Sequence, residues 1–334
     1  MTRPAMPIPF VAAAWLAVAA AAFAAPAQAQ NFSIPADPQW SVPNVGALPY
    51  DDKGMLIRRG RDLVTATPAH IGPAVADVSK RYAGNNLACS NCHLNAGTKK
   101  FGIPLWGLEG LFPQYSFEAG KEITIEDRVN ACMQRSMNGK PLPVDAPEMT
   151  AFVAYIDFLS TGATRGEKLS GLGSGQMPEL DRAADPVRGE KIYASTCAVC
   201  HATNGLGVLR SPHLPNFGYR VPPLWGPDSF NDAAGMGTLI TMANFVHFNM
   251  PNGTSYDHPR VTQEDAWDVA AYVISQPRPR YAARDKDFPD LLHKPVDSPY
   301  GPYADGFSQK QHMYGPFAPI RAELEKLKAQ QKKN

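Results

Sequence analysis

Cysteine is scarce in this chain, net charge is almost absent, and long apolar runs are missing after the N-terminus. Five cysteines in 334 residues are too few for a disulfide-dense scaffold. With 32 Lys and Arg against 31 Asp and Glu, the net charge is +1, and nothing in it suggests a nucleic-acid binder or a polyanionic tail. Proline, by contrast, is plentiful: 32 prolines and 27 glycines argue against long coiled coils and for short helices tied by extended loops. A globular composition of this length leaves room for two domains.

The one long apolar run lies at the start. Residues 1–29 carry a single charge at Arg3, then an alanine-rich stretch from Phe10 to Ala25, and end in Ala27-Gln28-Ala29. That small-x-small ending is an export-signal cleavage signature, and sixteen apolar residues fall short of the ~20 that a bilayer span needs. The expectation is a soluble, exported protein of 305 residues with no stable membrane insertion once the signal is removed.

Four of the five cysteines sit in two copies of one motif, Cys89-Ser90-Asn91-Cys92-His93 and Cys197-Ala198-Val199-Cys200-His201. Two thiols on one helical turn can each add to a haem vinyl group, and the adjacent histidine then stands against the iron as proximal ligand. Two copies in an exported chain, each followed directly by histidine, favour haem over zinc or a redox dithiol. The motifs predict two covalent haem c, held through Cys89, Cys92, Cys197 and Cys200, with His93 and His201 on the two irons.

The surroundings of the motifs repeat as well. Arg59-Gly60 precedes the first and Arg188-Gly189 the second; Pro-Leu-Trp-Gly follows each, at 104–107 and 223–226; each half ends in an apolar run holding Ala-Tyr, at 154–155 and 271–272. Helix, motif, loop, helix is the order of a small all-α cytochrome c domain, so the fold class is two such domains in tandem.

The repeat also locates the distal ligands. Met250 lies 25 residues after Trp225 and 22 before Tyr272, in the turn Asn249-Met250-Pro251-Asn252-Gly253, which can point a thioether at iron; His247 is its competitor. In the first half Cys132 lies 26 residues after Trp106 and 23 before Tyr155. Met133 fits one of the two spacings equally well, and Met137 opens a Met-Asn-Gly turn of its own, so spacing leaves three candidates. An unpaired cysteine in an oxidising compartment is a liability unless buried or used, and a thiolate on iron stabilises Fe(III). Spacing and chemistry together favour Cys132.

Around it, Thr124-Ile125-Glu126-Asp127 reads as a helix start with Thr124 as N-cap, and Gly139 and Pro141 would end the helix. Arg128, Cys132 and Ser136 fall at i, i+4 and i+8, on one face. A cation, a sulfur and a hydroxyl facing a haem would make an anion site; the same pattern also suits an ordinary amphipathic helix with Arg128 and Ser136 in water.

The segment Arg128-Val129-Asn130-Ala131-Cys132-Met133-Gln134-Arg135-Ser136-Met137-Asn138-Gly139-Lys140-Pro141-Leu142 strongly resembles the active-site stretch of the thiosulfate dehydrogenases, periplasmic dihaem cytochromes c that join two thiosulfates into tetrathionate and can run in reverse. The resemblance runs from about Gly54 to Pro277. It implies two cytochrome c domains facing each other, with His93 and Cys132 on the first iron, at the active site. It implies His201 and Met250 on the second, from which electrons leave to a small periplasmic carrier, a cytochrome c or similar. Arg128 and Ser136 match family residues that line the substrate pocket.

Two departures stand out. Family members commonly place another arginine upstream of this helix, whereas from Pro113 to Glu126 the one cation here is Lys121; Lys99 and Lys100 are the nearest substitutes. Some members carry a lysine directly before the distal methionine, able to replace it on the iron; here that position is Asn249, so no such exchange is expected.

On this basis the chain divides into an export signal (1–29), an N-terminal extension (30–54), a first cytochrome c domain with the active-site haem (55–160) and a linker (161–186). A second domain with the electron-transfer haem (187–277) and a C-terminal tail (278–334) follow; the tail is expected to wrap the second domain and then fray. A plain dihaem electron shuttle would leave the lone cysteine without a purpose. A dihaem peroxidase would need an open iron position, yet both halves offer a sulfur.

Overall fold

In both halves a glycine lets two helices meet backbone to backbone. The structure, a computed structural model, describes residue 1 and residues 40–166 and 169–333; the signal inferred over 1–29, apart from Met1, and the first part of the extension lie outside the described residues. In the first half, helix α1 (Asp52–Thr65) starts under Asp51, whose carboxylate accepts from Gly54 N–H. Short helix α2 (Thr67–Ile71) follows, then a 3₁₀ turn at Cys89–Asn91 and a helical turn α3 (Leu94–Gly97) whose Asn95 and Ala96 are left-handed. Strands β1 (Gln114–Ser116) and β2 (Lys121–Ile123) pair antiparallel, Tyr115 opposite Glu122. Helices α4 (Ile125–Arg135) and α5 (Pro147–Leu159) complete the half.

The second half repeats the order: α6 (Pro186–Ile192), a π-type turn at Tyr193–Cys197, α7 (Ala198–His201), the strand pair β3 (Val208–Leu209) and β4 (Tyr219–Val221), then α8 (Leu239–Asn249) and α9 (Gln263–Ser275). Helices α10 (Gln309–Tyr314) and α11 (Ala318–Gln331) lie in the tail. Helices carry both cores, so the all-α expectation holds, with the two short ladders as additions to it.

α1 crosses α5, and α6 crosses α9. A Cβ on Gly60 would come within 2.0 Å of the Ala151 carbonyl, and one on Gly189 within 1.9 Å of the Asp268 carbonyl, so only glycine permits these crossings. Around them α5 buries Met149, Ala151, Phe152, Tyr155, Ile156 and Leu159, and α9 buries Ala266, Trp267, Val269, Ala270 and Val273. The twin positions differ in chemistry. Ala151 is apolar, while Asp268 is wholly buried and takes Arg182 at 2.8 and 2.9 Å, Arg188 at 2.6 Å and Asp185 N–H at 2.8 Å. Burial works against ionisation of Asp268, but the bonds from Arg182, Asp185 and Arg188 outweigh it and hold the carboxyl below its ordinary value.

The tail does more than wrap and fray. Ile320 and Leu324 of α11 are buried in the second core beside Phe317. Upstream, the tail reaches the first half: Phe288 N–H donates to the Glu118 carbonyl (2.9 Å), Asp287 pairs with Arg135 (2.7 Å), and His293 stacks on Phe117. No helix among the described residues is long and apolar enough to cross a membrane.

Candidate functional site

Each motif histidine is oriented by one backbone carbonyl. His93 Nδ1 lies 2.6 Å from the Ile103 carbonyl, and His201 Nδ1 lies 2.9 Å from the Pro222 carbonyl. A carbonyl can only accept, so Nδ1 carries the proton and Nε2 keeps the lone pair that binds a metal. Ile103 and Pro222 are the residues directly before the two Pro-Leu-Trp-Gly turns. Those turns close back on the motifs: Leu105 N–H donates to the Gly97 carbonyl (2.8 Å) and Leu224 N–H to the Gly205 carbonyl (2.9 Å). Gly97 and Gly205, each four residues past its histidine, sit at φ +84° and +69°, and a Cβ on Gly205 would run into Trp225 at 2.0 Å.

The chain fits covalent haem on three further counts. A cavity of about 1340 Å³ passes both motifs, lined by Cys92, Cys200, His201 and Met250 and by apolar side chains including Leu224, Phe245 and Val246. All five cysteines are free, so the motif thiols are available for thioether bonds. Trp106, 2% exposed, holds a buried indole N–H with no acceptor among the described residues, a donor that a carboxylate-bearing cofactor can satisfy.

Helix α4 brings Cys132 to the first motif. Thr124 caps it as its sequence predicts: its hydroxyl accepts from Asp127 N–H, and the Asp127 carboxylate accepts from Thr124 N–H, a reciprocal capping box. Of the three candidate sulfurs, Cys132 stands within hydrogen-bond reach of His93. Met133 and Met137 are buried in the first core instead, at 1% and 3% exposure. Burial alone drives a thiol up, as at Cys89 (about 11) and Cys92 (about 12). At Cys132 burial pushes the same way, but the charge of the Arg128 guanidinium, helped by His93 when its ring carries both protons, outweighs it and brings the thiol down to about 7. Arg128 is exposed, one turn before Cys132; Ser136 ends the helix one turn after it, its N–H on the Cys132 carbonyl.

Met250 is the first residue past α8 and lines the cavity with His201, while His247 is buried and its Nδ1 lies 2.7 Å from the Val261 carbonyl. The candidate extra cations point elsewhere. Lys121 pairs with Asp127 at 3.7 Å in an exposed contact, Lys99 donates to the Thr254 carbonyl at 2.8 Å, and Lys100 lies over the Phe101 ring. The remaining histidines are structural or peripheral; His312, for instance, is buried with Nδ1 on the Val296 carbonyl and Nε2 on Asp305.

Three features around the site escaped sequence reasoning. The Ile103 and Pro222 carbonyls have a visible signal, their place before the repeated turn. Glu118, at the β1–β2 turn, has none. Its carboxyl is pushed above the ordinary range by burial, against the pull of Arg135, which it meets at 3.5 Å, and it also feels Arg128.

Comparison with known proteins gives the same picture for both halves. A family model described as SoxA/TsdA, cytochrome c domain, matches residues 77–164, and one described as cytochrome c matches residues 186–277. The thiosulfate dehydrogenase of Thiomonas intermedia (strain K12) is 38% identical over 272 residues, which cover 81% of this chain and 82% of that protein. That of Allochromatium vinosum is 38% identical over 245 residues, covering 72% of this chain and 85% of its own. The solved thiosulfate dehydrogenase (TsdBA) of Marichromatium purpuratum superposes with a TM-score of 0.65 at 32% identity, covering 72% of this chain and 50% of that one, so this chain spans half of the larger protein. Two cytochrome c domains, each with its Cys-x-x-Cys-His motif, carry two covalently bound haem c. At 38% identity to the first two relatives, with 82% and 85% of their length matched, the chain belongs to the thiosulfate dehydrogenase family.

Proposed function

We propose that this protein oxidises two thiosulfates to tetrathionate at Cys132 and releases the electrons, through the second half, to a small periplasmic one-electron carrier. The observation that carries the reading is the place of Cys132: α4 brings its sulfur to the motif histidine His93, with Arg128 one helical turn before it.

The reaction, 2 S₂O₃²⁻ → S₄O₆²⁻ + 2 e⁻, must bring two dianions together. At about 6 Å their repulsion is roughly 3 kcal/mol in water and about 11 kcal/mol at an effective dielectric of 20. Arg128 meets part of that demand, since its guanidinium is always charged and can grip a sulfonate through two N–H groups. Ser136 supplies one more donor. Cys132 meets another part. Its thiolate joins the outer sulfur of one thiosulfate, Cys–S⁻ + S₂O₃²⁻ → Cys–S–S–SO₃⁻ + 2 e⁻, which leaves a monoanion in place of a dianion. The second thiosulfate then faces half the charge, about 6 kcal/mol at the same distance and dielectric. Its sulfur attacks the adduct, tetrathionate leaves, and Cys132 returns as thiolate. His93 and Cys132 would hold the first iron, and His201 and Met250 the second. When bound, the two haems supply the two one-electron acceptors that this oxidation needs.

Ferricyanide reduction on adding thiosulfate, compared between parent and Cys132→Ala proteins with both haems loaded, tests the reading. Activity in the parent that disappears in the variant supports it; equal activity in both removes Cys132 from the chemistry. Mass spectrometry of thiosulfate-treated protein should find the added mass on the Cys132 peptide, and an unmodified peptide under turnover would count against the adduct.

A further inference from the structure

An α-helix leaves its last four carbonyls without helical partners, and those carbonyls must find donors elsewhere. In α4 the first two are served locally: Ser136 N–H and Met137 N–H donate to Cys132, and Gly139 N–H to Met133. The rest draw on the other half of the molecule, with one local addition, Asn138 N–H to the Arg135 carbonyl at 3.3 Å. Asn231 Nδ2 donates to the Gln134 carbonyl at 2.9 Å, and its main-chain N–H to the Arg135 carbonyl at 3.2 Å. The same Nδ2 reaches Asn138 Oδ1 at 3.2 Å. One residue further on, Asn85 Nδ2 ties the Ser136 carbonyl (3.0 Å) to the Ser229 carbonyl (3.2 Å). Both asparagines are essentially buried, Asn85 at 0% and Asn231 at 1% exposure.

Asn231 is itself rigidly held. Its Oδ1 accepts from Ala233 N–H at 3.2 Å, which decides which way the amide faces, and its carbonyl accepts from Ala234 N–H. Its neighbour Asp232 is bound by Arg284 and by Tyr281 N–H (2.8 Å). On its other side, Phe230 lines the cavity at the second motif and carries the Arg278 guanidinium over its ring at 4.5 Å. One short loop therefore touches the second haem's cavity with one residue and the end of the Cys132 helix with the next.

We infer that Asn231 is a positioning residue for the sulfur chemistry: from the second half, it sets how far along its axis α4 advances, and so where the Cys132 sulfur stands against His93. Cys132 lies two residues before Gln134, within roughly 3 Å of axial rise, so little helix separates the grip from the sulfur. A displacement of about 1 Å at a reacting centre is enough to cost on the order of a hundredfold in rate. The inference rests on the proposed role of Cys132.

The test is Asn231→Ala in the full-length, doubly haem-loaded protein. Four things are measured: the electron paramagnetic signature of a thiolate-ligated first haem, the methionine-to-iron absorption of the second, and kcat and KM for thiosulfate. The expected result is a split or shifted thiolate signature and kcat down at least about tenfold. KM should stay within a few-fold and the second haem's absorption unchanged. A loaded variant with parental signature and kcat within twofold overturns the inference, as does a variant in which both haems are perturbed alike, the mark of general loosening. If Asn231→Ala does not take up haem, Asn231→Asp decides by the same readouts: it keeps the oxygen that Ala233 N–H needs and loses the donor to Gln134. A parent without a thiolate signature would instead remove the role of Cys132, and the inference falls with it.

Discussion

The two halves share a scaffold and differ in how a sulfur is delivered. In the second, Met250 follows the end of α8 into a turn and faces a cavity of apolar side chains. In the first, Cys132 projects from the middle of α4, one turn after an arginine and one turn before a serine. A turn carries a single ligand, whereas a helix face carries a ligand and its neighbours at fixed spacing. On the proposed reading, a duplicated electron carrier gains a substrate site by moving one sulfur from a turn onto a helix, where charge can be placed beside it. The scaffold's own chemistry differs the opposite way: the apolar Ala151 in the first half corresponds to the buried, ion-paired Asp268 in the second.

The comparison can be broken at its most consequential point by Cys132→Met, which gives the first half the ligand proposed for the second. Thiosulfate-dependent ferricyanide reduction should fall by on the order of a thousandfold or more. The first haem's reduction potential should rise, since a thioether favours Fe(II) where a thiolate favours Fe(III). A variant that keeps both activity and potential would end the distinction between the halves. Arg128→Lys keeps the charge and removes the two-pronged grip. A charge-assisted hydrogen bond is worth about 1.5–3 kcal/mol, so KM for thiosulfate should rise on the order of tenfold, read from initial rates.

The scaffold difference is tested by stability. Asp268→Asn should lower the unfolding free energy by about 2–3 kcal/mol, the modest end for a buried ion pair because Arg182 and Arg188 are half exposed. Asp268 has a depressed folded pKa, so its contribution is complete above the unfolded value near 4 and is lost as the pH falls through the folded value. Denaturation curves of parent and variant should therefore differ at pH 7 and converge in strong acid. The smallest effect belongs to Lys121→Gln. An exposed pair is worth about 0.5 kcal/mol or less, so KM should change less than twofold; a tenfold rise would make Lys121 the missing second cation.

What the sequence could reveal followed from how near the signals lie to one another. The Cys-x-x-Cys-His motifs, the Thr124 cap and the Arg128–Cys132–Ser136 stripe are offsets of three to eight residues, and local geometry turns such offsets into positions directly. Cys132 and Met133 are adjacent in sequence but about 100° apart on the helix, so spacing could not separate them. What separates them is which face meets the core: Met133 is buried there while Cys132 meets His93. Lys99 reads as a neighbour of the first haem yet turns to Thr254, because Thr254 belongs to a segment 155 residues away. The Glu118–Arg135–Asp287 contact joins three segments that only tertiary folding brings together.

The carbonyls of Ile103 and Pro222 carry a consequence for how such a chain is assembled. Ile103 stands at φ +52°, a left-handed backbone rare for a β-branched residue, and Pro222 is fixed by its own ring, so both carbonyls lie outside any helical ladder and bond elsewhere. Each carbonyl faces an imidazole, ten residues upstream in one half and 21 in the other. The protein chain alone can thus choose the imidazole tautomer and ring angle, before any iron is present. Haem attachment then meets a ligand already aimed, and the repeated Pro-Leu-Trp-Gly, which holds no reactive group, acts as the jig for that step.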